Sequence, residues 1–181
     1  MSLLERGPGL LVLVDPSRTA AEEAARVARE ARAAGAAGLL IGSSFDGTRD
    51  TQLVARAIRQ AVPGFPVALF PGSAMQLTDE VDLVLFLSLV SGRNAQYLIE
   101  EHVRAVPFLT RHPVPPEGIR VGRDAVGELP LFVGGGIRRP EQAQEARAAG
   151  ADFVVIGTAI EAADADLAAF VRAVGDPGTR R

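Results

Sequence analysis

VGGGIRRPEQAQEARAAGADFVVIGTAIE, residues 133–161, is the stretch on which the fold turns. A short apolar strand over residues 131–133 runs into Gly134, Gly135 and Gly136. A helix follows and opens with Pro140, whose missing N–H costs nothing at a first helical position. A second apolar strand, residues 153–156, ends in Gly157-Thr158. Two successive strand–helix units therefore present glycine-rich turns at the same end of their strands. Glycine lets the backbone approach a ligand closely and leaves N–H groups able to point at an anion. In a parallel barrel the turns after the last two strands form the phosphate site. A tight turn alone would account for Gly-Gly-Gly. The pairing with the second turn, Gly157-Thr158, favours phosphate binding at these turns.

Working back from this stretch, strand and helix alternate. Apolar runs at residues 10–14, 39–41, 67–70 and 83–89 read as buried parallel strands. Residues 19–34, 48–62, 94–106 and 164–174 read as helices, with Asn94 as an N-cap. Residues 107–130 are proline-rich and weakly patterned, with one helix expected near 117–126. Alternation of this kind argues for a parallel sheet with right-handed crossovers. An internal repeat supports it: ARAAGAAGLLIGS (31–43) and ARAAGADFVVIGT (146–158) are identical at 8 of 13 positions. Repeated βα units make a (β/α) barrel, with a doubly wound open sheet as the alternative. A closed barrel has eight strands. The expectation is one α/β domain over residues 1–181, a parallel (β/α) barrel of the phosphate-binding type shortened to about six strands. The loss falls between residues 106 and 131.

Composition narrows the chemistry. The chain has 181 residues, 48% of them apolar, which suits one substantial core. A formal charge of −3, with basic residues scattered singly, argues against nucleic-acid binding. There is no cysteine, which removes a disulfide scaffold, a thiol nucleophile and a thiolate metal site. All 19 basic residues are arginine, so Schiff-base chemistry and a phosphate-loop lysine are excluded. His102 and His112 are read as polar-rim residues. No apolar run is long enough to span a bilayer, and residues 1–13 lack a signal-peptide pattern, so a cytoplasmic protein is expected.

Residues just after the strands line the site in parallel α/β folds. That rule selects Asp15, Ser43, Ser44, Ser73, Ser91, Gly134–Gly136, Gly157 and Thr158. It places Asp82 and Asp152, which precede strands, at the opposite face. Asp15 is the only carboxylate directly following a strand. Its position fits a Mg²⁺ ligand and an Asp-Pro-Ser turn equally well.

LVLVDPSR (11–18), LLIGSS (39–44), ALFPGSAMQLTDEVDLVLFLSLVSGRNAQYL (68–98) and PLFVGGGIRRPEQAQEARAAGADFVVIGTAIE (130–161) resemble the geranylgeranylglyceryl phosphate synthase family, which includes heptaprenylglyceryl phosphate synthases. The resemblance covers most of residues 10–162. It implies a (β/α)₈ barrel enzyme that transfers a polyprenyl group from its diphosphate to the sn-3 hydroxyl of sn-glycerol 1-phosphate, making an ether lipid precursor. By this resemblance Asp15 and Ser44 hold Mg²⁺ on the prenyl diphosphate. Gly135, Gly136, Gly157 and Thr158 bind the phosphate of glycerol 1-phosphate. Peripheral membrane contact through the lipid substrate and a homo-oligomer that hides the gap are further expectations. The chain departs from the family between residues 106 and 113, where a Tyr-x-Glu-x-x-Ser-Gly segment on additional strands has no counterpart. Ser91 replaces a common Asn, and Leu13 stands where some members place a lysine. Impaired activity is therefore expected, and a non-catalytic phosphate-binding paralogue is the alternative.

Overall fold

The computed structural model describes residues 3, 7–43, 50–86, 94–112, 116–118, 130–160 and 166–175. The strands are β1 (Gly9–Val14), β2 (Gly38–Ser43), β3 (Val67–Pro71), β4 (Leu83–Phe86), β5 (Pro116–Gly118), β6 (Phe132–Gly134) and β7 (Phe153–Ile156). The helices are α1 (Ala21–Ala33), α2 (Thr51–Ala61), α3 (Glu101–Arg111), α4 (Pro140–Ala148) and α5 (Leu167–Val174). All strands are parallel, in the order β5-β4-β3-β2-β1-β7-β6. Consecutive strands are neighbours except β5 and β6, and the last strand returns to β1, which is barrel order. Among the described residues the two ends of the sheet are β5 and β6, on either side of residues 119–129, within the interval where the sequence places the loss.

The barrel-type fold is as expected. The sheet has seven strands among the described residues; the addition is the three-residue β5. It begins where a helix was expected near 117–126, and residues 119–126 lie outside the described part. The second correction concerns Pro107. The helix expected to end at residue 106 runs on through Pro107 to Arg111. An interior proline frees the carbonyl four residues earlier. That residue, Val103, lies on the exposed face, where water can take the lost bond.

Strand alternation separates two apolar layers. Leu10, Val12, Val14, Leu39, Ile41, Leu69, Val84, Val154 and Ile156 face the helices and pack on Val27, Val54, Ile58 and Phe170. Leu11, Leu40, Ala68, Leu83, Leu85, Phe153 and Val155 face the barrel interior, joined by Leu13, Phe70 and Phe132. Phe132 and Phe153 stack with centroids 4.6 Å apart. Helix spacing matches the outer layer. In α2, Thr51, Val54, Ala55 and Ile58 are buried, and in α1 the small residues Ala24, Ala28 and Ala31 let the helix lie close.

The sequence repeat is also a structural one. In each copy the helix ends at a left-handed glycine, Gly35 at φ +86° or Gly150 at φ +103°. The same backbone bonds close both ends, Ala36 N to Ala31 O and Ala151 N to Ala146 O. The identical residues Ala31–Ala36 and Ala146–Ala151 thus encode one helix-to-strand junction used twice.

Candidate functional site at the carboxyl ends of the strands

Register places the strand ends on one rim. Val14 lies beside Ile41, Ser43 beside Pro71, Val12 beside Ile156 and Gly134 beside Val155. Asp15, Ser43, the Gly72–Gln76 loop, Gly135-Gly136 and Gly157-Thr158 therefore all follow the same edge of the sheet. Asp82 and Asp152 lie at the opposite edge, as the sequence indicated. The Asp82 carboxylate accepts the Val67 N–H at 2.9 Å, and that of Asp152 accepts the Leu131 N–H at 2.9 Å.

Asp15 forms the turn that Asp-Pro-Ser implies. Its Oδ1 accepts the Ser17 N–H at 2.9 Å and the Ser17 hydroxyl at 2.7 Å. Its Oδ2 lies 3.9 Å from Arg18 Nε, beyond hydrogen-bond range. One oxygen is thus committed to the turn, and the other remains able to meet a cation at the rim. Among the described residues no group of three or more His, Asp or Glu gathers to cage a metal. A single carboxylate fits Mg²⁺, which keeps waters and is commonly shared with substrate phosphates. Ser44 and Ser91 lie outside the described residues.

The glycine turns are open. Gly135 (φ +95°) and Gly136 (φ +72°) are exposed, and a Cβ on either would meet no atom within 4 Å. These glycines serve backbone conformation and access, since crowding is absent. At Gly157 the reason differs: a Cβ there would sit 3.1 Å from Leu13, whose side chain also borders Gly42. Thr158 is exposed beside it. Gln142 at the start of α4 reaches back and accepts the N–H groups of Arg138 (2.9 Å) and Arg139 (3.1 Å). This fixes the glycine turn to the helix that follows.

Two functional candidates were not visible in the sequence. Gln76 and Glu101 are both buried. Gln76 accepts the Gly72 N–H at 2.9 Å and donates to the Ser43 carbonyl at 3.3 Å. Glu101 accepts the Ala74 N–H at 2.6 Å, pairs with Arg104 at 2.7 Å and bonds the Ser73 hydroxyl. The Ala74 amide, helped by Arg104 and Ser73, holds the Glu101 carboxyl below its ordinary range against the opposing effect of burial. Ser73, selected as a rim residue from sequence, is therefore buried and engaged with Glu101. The available signal was the four-residue spacing of Glu101 and Ala105, both on the buried face of α3.

A model of the PcrB family matches residues 3–118 and 112–174. The chain belongs to this family. Its two matched stretches meet at residues 112–118, around β5. The geranylgeranylglyceryl phosphate synthase of Methanopyrus kandleri is 32% identical over 238 aligned positions, covering 96% of this chain and 97% of the relative. That of Methanothrix thermoacetophila is 30% identical over 216 positions, covering 86% and 84%. Both alignments are longer than the 181-residue chain, so these relatives carry residues with no counterpart here. Among solved structures, (S)-3-O-geranylgeranylglyceryl phosphate synthase from Thermoplasma acidophilum, in complex with sn-glycerol-1-phosphate, superposes with a TM-score of 0.82 at 24% identity. That match covers 96% of this chain and 98% of that one. Tryptophan synthase subunit alpha from Legionella pneumophila superposes at 0.60 with 17% identity, covering 94% of each chain. These structural likenesses speak to the fold alone. No described helix is long and apolar enough to cross a membrane.

Proposed function

We propose that this chain is a prenyltransferase that joins a polyprenyl diphosphate, of the geranylgeranyl type, to the sn-3 hydroxyl of sn-glycerol 1-phosphate. One observation carries the reading: in a chain of this family, Asp15 and both glycine turns share one rim at the strand ends. Asp15, through Oδ2, and Ser44 would hold Mg²⁺. When bound, Mg²⁺ would neutralise charge on the departing diphosphate. The turns at Gly135-Gly136 and Gly157-Thr158 would hold the phosphate of glycerol 1-phosphate, a reading supported by the N–H groups of Arg138 and Arg139 being bonded to Gln142. Positioning of the two substrates then supplies much of the rate. The new bond joins the sn-3 oxygen to the allylic carbon. The carbon–oxygen bond to diphosphate breaks with its electron pair on the leaving group, and the hydroxyl proton passes to solvent.

An apolar strip supports the lipid half of the reading. Val103 and Val106 on α3 and Ile99 in the turn just before it are exposed, and Met75 is 81% exposed on the loop that Glu101 holds. A polyprenyl tail, or a membrane surface delivering it, would cover this strip. Homo-oligomer formation and a cytoplasmic location accompany the proposal, the first to be read by light scattering.

The two-piece family match favours a second reading. If the Tyr-x-Glu strand is among the residues this chain lacks, turnover falls by about 10²–10⁴, the usual worth of a positioned acid or base. The chain would then be a phosphate-binding paralogue. The test is incubation of the purified chain with Mg²⁺, sn-glycerol 1-phosphate and geranylgeranyl diphosphate, with mass spectrometry of the lipid fraction. An ether product that disappears with chelation supports the enzyme. Calorimetric binding of glycerol phosphate without product supports the paralogue.

A further inference from the structure

Gly42 and Gly157 occupy the same position in the two copies of the sequence repeat. β2 and β7 lie on either side of β1, and the two glycines flank one side chain of that strand, Leu13. Neither glycine has a positive φ, so backbone conformation does not require glycine at either place. Space does. At Gly42 the obstacle is β3: a Cβ would lie 2.7 Å from the Phe70 carbonyl oxygen and only in ordinary contact, at 3.6 Å, with Leu13 Cδ1. At Gly157 the obstacle is Leu13 itself, with a Cβ 3.1 Å from Cδ2, 3.3 Å from Cβ and 3.6 Å from Cγ. Gly135 and Gly136 are the reverse case, at positive φ with open space around them. The two glycine turns of the rim are therefore shaped by different causes. One follows from its own backbone, the other from a leucine on the neighbouring strand.

We infer that Leu13 is a positioning residue for the Gly157-Thr158 turn: its side chain fills the space beside Gly157 and so fixes where the turn stands relative to a bound phosphate. This rests on the prenyltransferase reading, which gives that turn the phosphate of sn-glycerol 1-phosphate. Leu13 packs on the interior apolar layer, and no contact between it and substrate is required. Its effect is one-sided, because it meets Gly157 tightly and Gly42 only at ordinary distance. The β1 backbone is held by ladders on both sides, Leu13 beside Leu40 and Val12 beside Ile156. Truncating the Leu13 side chain therefore leaves Asp15 in place. It disturbs glycerol phosphate and spares diphosphate with its cation.

The experiment is calorimetry on the full chain with two probes, sn-glycerol 1-phosphate and inorganic pyrophosphate with Mg²⁺. Leu13→Ala removes the atoms that pack on Gly157 beyond Cβ. Gly157→Ala drives a methyl group into those same atoms. Each variant is expected to weaken glycerol phosphate about tenfold, since displacements of about 1 Å or less suffice for such losses. Mg²⁺-pyrophosphate affinity should hold within about twofold. The double variant, Leu13→Ala with Gly157→Ala, sets the added methyl where leucine atoms were removed. It is expected to bind glycerol phosphate within about threefold of wild type. A glycine needed only for close approach of phosphate would gain nothing from a change on another strand. Absence of rescue therefore overturns the inference. Equal weakening of both probes by Leu13→Ala, or unfolding of that variant, also overturns it and assigns Leu13 to the core alone. If the wild-type chain binds no glycerol phosphate, the prenyltransferase reading itself fails, which is a different result from failed rescue in a chain that binds it.

Discussion

Ser17 gives both its backbone N–H and its hydroxyl to a single oxygen of Asp15, at 2.9 and 2.7 Å, leaving Oδ2 outside hydrogen-bond range of Arg18. The turn bonds of Asp15 and the Mg²⁺ contact proposed for it thus fall on different oxygens and can be separated. Asp15→Asn preserves an acceptor for Ser17 and removes the charge. If the turn were its whole purpose, this variant would behave as wild type. The expected outcome is instead near-complete loss of Mg²⁺-dependent product, at least 10²-fold in kcat/KM, with an unfolding midpoint almost unchanged. Product assays across a Mg²⁺ titration, beside thermal melts, read both quantities.

The open glycine turn predicts a different signature. Gly136 sits at φ +72° with empty space where a Cβ would go. Gly136→Ala therefore meets no clash, only the cost of the left-handed conformation, about 1–2 kcal/mol. The turn is expected to relax away from its phosphate-binding shape. KM for glycerol 1-phosphate should rise about tenfold, the fold-change that this energy corresponds to, while Mg²⁺ dependence stays as in wild type. Steady-state kinetics with each substrate varied in turn would show it. An unchanged KM would remove the turn from the site.

Asp82 and Asp152 should affect neither substrate. Each precedes a strand, accepts through its carboxylate an N–H at the foot of the neighbouring strand (Val67 or Leu131) and donates its own backbone N–H in return, Asp82 N to Val67 O and Asp152 N to Leu131 O. Alanine at either position leaves an N–H at the foot of the sheet without its carboxylate, at about 1–3 kcal/mol. Urea unfolding should show a lower midpoint for Asp82→Ala and Asp152→Ala, with both KM values held. A substrate-specific KM change would contradict their placement at the foot of the sheet.

These aspartates show what the sequence made legible. Position relative to a strand sufficed to assign Asp82 and Asp152 to one edge and Asp15 to the other, because parallel strands all point the same way. The repeat at residues 31–43 and 146–158 was equally readable, since its glycines mark a conformation few other residues adopt. Gln76, Glu101 and β5 were hidden for physical reasons. Glu100 and Glu101 are adjacent and chemically alike, and only packing of α3 against the Ser73–Ala74 loop turns one of them inward. Strand β5 is three residues long, too short to show a period of two. Pro107 misled because a proline usually ends a helix, whereas here the carbonyl it frees is on the wet face.

Acid should expose the Glu101 anchor. Its carboxyl is held below the ordinary glutamate range, first by the Ala74 amide, and then by Arg104 and Ser73. A carboxyl depressed in the folded chain stabilises that chain at pH values above its unfolded pKa, about 4.3. The contribution fades as pH falls through the lower, folded value. The folded state binds the proton later than the unfolded one, so unfolding gains protons in this window and stability drops with pH. Glu101→Gln keeps the shape and an acceptor for Ala74 but has no proton to gain. At pH 7 the variant is expected to be less stable than wild type, by about 1–2 kcal/mol for a weakened charge-assisted bond. Below pH 4.3 the two curves should converge. Urea midpoints for both proteins between pH 3 and pH 7 would test this, and parallel curves across that range would mean that the Glu101 charge contributes nothing to holding the loop.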